Sequence, residues 1–493
     1  PLMRGRREWH LFQVALTGAF LTGVPVQVRL GEYHRFQREL GEKLTGHASG
    51  GWDYEGIQWR DVPSYKYGGG GYTSLAPLVL VQRNGEKLRS RTEITERSED
   101  PLERQWLESA MRGWSWALRE VRVQVYDFGV GVVVGSYDVQ TPISVDPATV
   151  RRTVRALCRL RPDPSSGVQS PIAASYKALA HETVRVFRGA VATCEGASPQ
   201  EPWLAPALKA LPPADSVASA NGDGDAFNDE WGRLLWLHPV YVLAGPSSAS
   251  SIHLNRLARP FRATYSQAID FTFGVFVPGV DWSVIAARGD FDGQEVPMRL
   301  TELHWAYYAL FMEMDRGLLA TLQHDKWHTP GSLSALEGDA ARMFQIFMRV
   351  REARARLDSA LAEIGGGQLS LWSAIANVTK FDELVGGVEA KVEVLQRVAD
   401  RRVQEAAVVR SRRTERILSS LTALTVVTLI IALVGNIIGS RADKLGHIEL
   451  RVLTMLAAFL LAAILYREAL REIERRRLRD MRLASRLRRP SAP

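Results

Sequence analysis

The stretch that decides the architecture is Glu415–Glu468, ERILSSLTALTVVTLIIALVGNIIGSRADKLGHIELRVLTMLAAFLLAAILYRE. Its first half, Ile417–Ile438, is 22 residues without a formal charge. As a helix rising about 1.5 Å per residue it extends roughly 33 Å, enough for a hydrocarbon core of about 30 Å. The second charge-free run, Val452–Tyr466, is 15 residues, or only about 22 Å of helix. Carrying it back to Leu445 completes a span but takes in Glu449 and Arg451, whose long side chains reach water at an interface. The stretch therefore predicts a C-terminal two-helix transmembrane hairpin over 417–466, turning at the polar gap SRADKLGH.

Charge is distributed around this hairpin. The chain carries a formal +8 over 493 residues. Arg410, Arg412, Arg413 and Arg416 stand just before the first run, and the tail 467–493 holds ten Arg, among them Arg475, Arg476 and Arg477, against four acidic residues. What is left for residues 1–409 is about −2, with no basic excess to neutralise a phosphate backbone, which argues against nucleic acid as a partner. Arginine on both flanks of a hairpin marks the cytoplasmic side and contact with membrane lipids. Both termini are expected in the cytoplasm, at a bacterial inner membrane. Two cysteines, Cys158 and Cys194, form no framework and suit a reducing compartment. Met3 reads as the natural start. Arg4, Arg6 and Arg7 precede an apolar run, but His10 and Gln13 interrupt it and no cleavage site follows. EWHLFQVAL thus reads as a buried first strand, not a signal peptide.

The rest of the chain reads as an α+β body followed by a helical stalk. Residues 1–150 form a first α+β portion. EWHLFQVAL, APLVLVQR and VRVQVYDFGVGVVVGSYDV are its strands, the last folding back near Gly129–Gly131. DPLERQWLESAMRGWSWALREV has Leu102, Trp106, Leu107, Met111, Trp114 and Leu118 at helical spacing, which predicts a helix. Residues 151–300 form a second α+β portion: helices at DPATVRRTVRALCRL and PIAASYKALAHETVRVFRGAVATC, a flexible linker near 195–230, then strands in LLWLHPVYVLAG, ATYSQAIDFTFGVFV and DWSVIAAR. The turn at Asp290–Gln294 suggests a hairpin. The two portions can share one sheet system. Residues 301–416 read as helices at 301–324, 333–364 and 369–387, the last either continuous or broken within its length, then a stalk from Val388 running without Pro or Gly into the first span.

Motifs for catalysis are largely absent, and no enzyme and no cofactor is expected. YGGGGY at Tyr67–Tyr72 lacks the Gly-Lys-Ser/Thr ending of a phosphate loop. GPSSASS at Gly245–Ser251 is not a Gly-x-Ser-x-Gly elbow. His324 and His328 stand one helical turn apart, a spacing that can share a metal, though no third ligand is evident and a wet helix end explains them as well. NGDGDAFND begins like a calcium loop but has Ala226 and Gly232 where that loop needs Gly and Glu.

The first span has a pattern of its own. Thr422, Thr425, Leu429, Ala432 and Asn436 line one helix face. An overlapping stripe of Thr425, Thr428, Ala432, Gly435 and Gly439 ends in a small-xxx-small pair, Gly435 and Gly439, suited to helix packing. Polar residues on such a face are costly against lipid and should meet other helices or water. Packing alone and pore lining both satisfy that demand.

This layout resembles the CorA-type divalent-cation transporters. The likeness lies in residues 388–470: a long stalk helix entering the first span, a short external loop, a second span and a basic cytoplasmic end. The resemblance implies a homo-oligomer whose first span lines a pore with Thr422, Thr425 and Asn436. The family's loop signature is Gly-Met-Asn; this chain has Gly435-Asn436 with no Met between. Diverged CorA-like proteins include membrane effectors of prokaryotic defence systems, so the resemblance also implies that context. The expectation is an oligomeric ion channel or transporter whose body receives a signal from a cytoplasmic protein or a small molecule. A scaffold protein anchored by its hairpin is the competing reading.

Overall fold

A computed structural model of the chain describes residues 9–22, 26–28, 39–40, 58–60, 79–84, 114–126, 128–142, 145–160, 170–194, 197–199, 232–262, 267–289, 295–323, 333–439 and 466. The chain divides into two compact units. The first is Pro1–Thr329 with Ala341–Ala399, and the second is Pro330–Ala340 with Asp400–Pro493.

The first unit is built on β1 (Trp9–Leu21), β2 (Val26–Val28), β3 (Gln58–Arg60), β4 (Val79–Asn84), β5 (Ser115–Val125), β6 (Val130–Pro142), β7 (Ala197–Pro199), β8 (His238–Gly245), β9 (Ile269–Phe271), β10 (Gly274–Val277) and β11 (Ser283–Arg288). Nine of them form one mixed sheet in the order β3-β4-β5-β6-β1-β8-β11-β10-β9, and β2 pairs with β7. The predicted first strand is the central one. It runs antiparallel to β6 over its whole length, Trp9 facing Pro142 and Leu21 facing Val130, and antiparallel to β8 on its other edge. Sequence-distant halves of the body therefore share the sheet through β1. β8 and β11 are parallel, and the chain between them passes through a helix, as a parallel pair requires.

Two helical layers cover the sheet. α1 (Pro147–Leu157), α2 (Pro171–Thr193) and α3 (Ser251–Ala258) pack on one face; α4 (Glu295–Gln323), α6 (Gly366–Thr379) and the first-unit parts of α5 (Leu333–Glu363) and α7 (Phe381–Gly439), residues 341–363 and 381–399, supply the other. Strand alternation divides the residues between them. Tyr241 and Leu243 join the first core, while Val240 and Val242 join the second. In β1 the large Phe12, Val14, Leu16 and Phe20 turn to the first core, and Ala15 and Ala19 turn to the second, where α4 lies against the strand.

The helix predicted over DPLERQWLESAMRGWSWALREV is not what its described end forms. From Ser115 on it is β5, paired with β4 and β6; 100–113 lie outside the described residues. The register of β5 against β6 shifts between Leu118 and Glu120. This bulge puts Trp114 and Trp116 before it, and Val121, Val123 and Val125 after it, on the same core face. A strand with one extra residue thus imitates the spacing of a helix. The β5–β6 hairpin turns at Gly129, whose φ of 84° suits glycine.

Two helix starts also move. α4 starts at Glu295, six residues before Thr301, because Pro297 in a first turn costs no hydrogen bond. Asp290–Gln294 lie outside the described residues, but they connect β11 to α4, not to a hairpin partner. The stalk helix begins at Phe381 rather than Val388 and is 59 residues long. It runs through Gly386 and Gly387; the break before it is Lys380, in the left-handed region at φ 56°. The linker near 195–230 is described only at β7, and YGGGGY and NGDGDAFND lie outside the described residues.

Candidate functional site

The predicted first span is the distal part of α7, long and apolar enough to cross a membrane, and none of its most apolar window is buried. Ile417, Leu418, Leu421, Leu424, Leu429 and Leu433 are each more than half exposed. Each such side chain left in water forgoes roughly 1.5–3 kcal/mol of burial. The segment is also rich in Thr, Val and Ile, β-branched residues with modest helix propensity in water. Apolar surroundings reverse both penalties, since a helix satisfies its own backbone where no water is present.

Thr422, Thr425, Leu429 and Ala432 lie on one face of this helix, as their spacing requires. The Thr422 hydroxyl donates to the Leu418 carbonyl at 2.8 Å, Thr425 to Leu421 at 2.8 Å and Thr428 to Leu424 at 2.8 Å. Ser420 donates to Arg416 O at 2.8 Å. These protons are satisfied within the helix, so the hydroxyls do not by themselves demand water or a partner chain. Gly435, Asn436 and Gly439 continue the helical backbone.

Arg410, Arg412, Arg413 and Arg416 are all exposed on the turns before Ile417. Arg410 pairs with Glu337 at the start of α5, both in the second unit, where Leu336 and Ala406 are buried. Below this point Glu405 accepts from Arg401 at 3.2 Å and from Arg402 at 3.0 Å. Arg475, Arg476, Arg477, His324 and His328 lie outside the described residues. So does the predicted second span, apart from Tyr466, which is helical and exposed. Among the described residues no group of three or more His, Cys, Asp or Glu is placed to hold a metal.

Sequence reasoning missed a buried polar layer between β5 and α4. Arg122, Gln124 and Tyr126 follow one another on the α4 side of the strand end. The Glu302 carboxylate pairs with Arg122 and accepts from Gln124 Nε2 at 2.7 Å, and Tyr126 Oη donates to Gln124 Oε1 at 2.9 Å. Burial pulls the Arg122 guanidinium down, but Glu302 and Glu120 outweigh it and hold it above its ordinary value. Burial pushes the Tyr126 phenol well up, with Glu302 adding to it. Two residues on from Glu302, His304 is fully buried among Trp305, Tyr308, Trp372 and Phe381, with ring centroids 5.1–6.1 Å away. Its Nε2 lies 2.9 Å from Thr379 Oγ1, and its Nδ1 has no partner. His238 Nε2 lies 3.0 Å from Ser283 Oγ. Burial lowers both imidazoles to about 3. The available signal was the alternation of polar Arg122 and Gln124 with Val121, Val123 and Val125. These groups are neutral or paired and tightly packed, which suits fastening the helix to the sheet. Cys158 and Cys194 are buried and form no disulfide, and burial pushes Cys158 up to about 12, far from a reactive thiolate.

No protein-family model matches the chain, and neither a curated protein nor a solved structure matches it.

Proposed function

We propose that the chain is a homo-oligomeric membrane protein whose α+β body receives a signal and whose spans form an ion-conducting pore. The observation that carries the membrane part is α7. Its first turns bury Phe381, Val385, Val388 and Val392 in the body's core, and its distal turns are apolar and unburied. An unbroken helix is a stiff element, so a change in the packing of its first turns has a mechanical path to the last. The second span, over 452–466, completes a hairpin with both ends in the cytoplasm of a bacterial cell. The pore face is that of Thr422, Thr425, Leu429, Ala432 and Asn436. The architecture is that of a CorA-like transporter or channel, or of a membrane effector in a defence system, and no chemistry is ascribed to the body.

Reconstitution into liposomes tests this reading: ion flux that Asn436→Leu or Thr425→Leu alters is the expected result. A well-folded monomer by native mass measurement would sink it, because two helices from one chain enclose no aqueous path. One observation favours a second reading, a body tethered to the membrane by an inert hairpin. The threonine hydroxyls are satisfied within their own helix, as in a lipid-facing anchor. Under that reading Thr425→Val changes neither flux nor assembly.

A further inference from the structure

The arginines before the span are not spread evenly around α7. At about 100° per residue, Arg410, Arg412, Arg413 and Arg416 fall within an arc of roughly 160°. Thr422, Thr425, Leu429, Ala432 and Asn436 fall within roughly 80°, centred on nearly the opposite side. Glu415 lies on that second side, where its carboxylate accepts from Ser411 Oγ at 3.5 Å. The arginine arc continues into the span as Ile417, Leu424, Val427 and Ile431, an aliphatic column of which Ile417 and Leu424 are more than half exposed. Arg413 and Arg416 are exposed and make no ion pair among the described residues. One side of the helix therefore presents guanidinium groups directly above aliphatic side chains. That is the complement of an anionic amphiphile, phosphate above acyl chain.

We propose that Arg412, Arg413 and Arg416 form a docking face for the headgroup phosphates of anionic phospholipids, and that this contact sets the rotation of α7 in the bilayer. The inference rests on the membrane reading of α7. Guanidinium forks meet phosphate oxygens in pairs, with more geometric definition than an ammonium provides. A soluble anion would leave the aliphatic column uncovered, whereas a phospholipid covers both parts at once. With the arginine side turned to lipid, the Thr/Asn stripe and Glu415 turn away from lipid, toward neighbouring helices.

The test uses the full chain in vesicles of phosphatidylcholine alone and of phosphatidylcholine mixed with phosphatidylglycerol. Flotation reports insertion, and native mass spectrometry of the released protein counts the lipids it retains. Wild type is expected to retain phosphatidylglycerol several-fold above its share of the mixture. Arg413→Gln with Arg416→Gln should bring that ratio close to the mixture while the protein still floats. Glu415→Gln, on the other side of the helix, should leave the ratio unchanged or higher. A cysteine at Thr425 should cross-link between copies more readily than one at Leu424, and the difference should shrink in the double variant. Retention at the mixture ratio by wild type, or an unchanged preference in the double variant, overturns the headgroup inference while leaving the membrane reading in place. Failure to float with either vesicle overturns the membrane reading and this inference with it.

Discussion

Glu302 is 1% exposed and pairs with the partly buried Arg122. Removing Glu302 leaves Arg122 with the more distant Glu120, at 3.5 Å, and leaves Gln124 Nε2 without that acceptor. Glu302→Leu should therefore lower stability by about 3 kcal/mol, read as a shift in the urea midpoint, with Glu302→Gln milder because it still meets Gln124. His238 and His304 make stability depend on pH. Each stays neutral in the folded chain down to about 3, whereas an unfolded histidine protonates near 6.5. The unfolded state binds more protons between these values, so the contribution is complete above about pH 6.5 and is lost as pH falls through the window toward 3. Lowering the pH from 6.5 to 4.5 should remove on the order of 2–3 kcal/mol for each buried histidine. Urea midpoints measured across that range should fall, and His304→Gln should flatten the slope.

Among the elements, the α6–α7 junction is where sequence and structure diverge most usefully. Glycine pairs normally suggest a break, yet Gly386 and Gly387 are helical and the turn falls at Lys380. The body's core explains this. Phe381, Val385 and Val388 must all reach it, and only an unbroken helix from Phe381 brings them to one side. Lys380→Gly should relieve the left-handed strain and raise stability by about 1 kcal/mol. Gly386→Ala should add roughly 0.5–1 kcal/mol, since a Cβ there meets nothing within 4 Å. Thermal or urea midpoints of the purified chain check both. β5 teaches the opposite lesson. Trp114 just before it and Leu118, Val121 and Val125 within it follow a helix-like spacing, but the bulge near Leu118 and pairing on both edges make it a strand. Local periodicity could not reveal the bulge, because a bulge is defined only against a partner strand.

For the whole molecule, the unburied apolar turns of α7 decide how the protein behaves in solution. It should stay in the membrane fraction through alkaline carbonate and be released by detergent; release by carbonate alone would contradict a spanning helix. The apolar run of Ile417–Ile438 was legible in one dimension, because a long stretch without charge is a property of the chain itself. So were the outline of the β5–β6 hairpin, most of the helices and the exposed arginines before Ile417. The tertiary structure alone decided that β1 is the central strand of the sheet, that Glu302 finds Arg122 across 180 residues, and that His304 meets Thr379 across 75. The physical reason is the same in each case. Charge runs and hydropathy act through neighbours in sequence, while strand order, buried ion pairs and hydrogen-bond satisfaction depend on which distant groups the fold brings within contact.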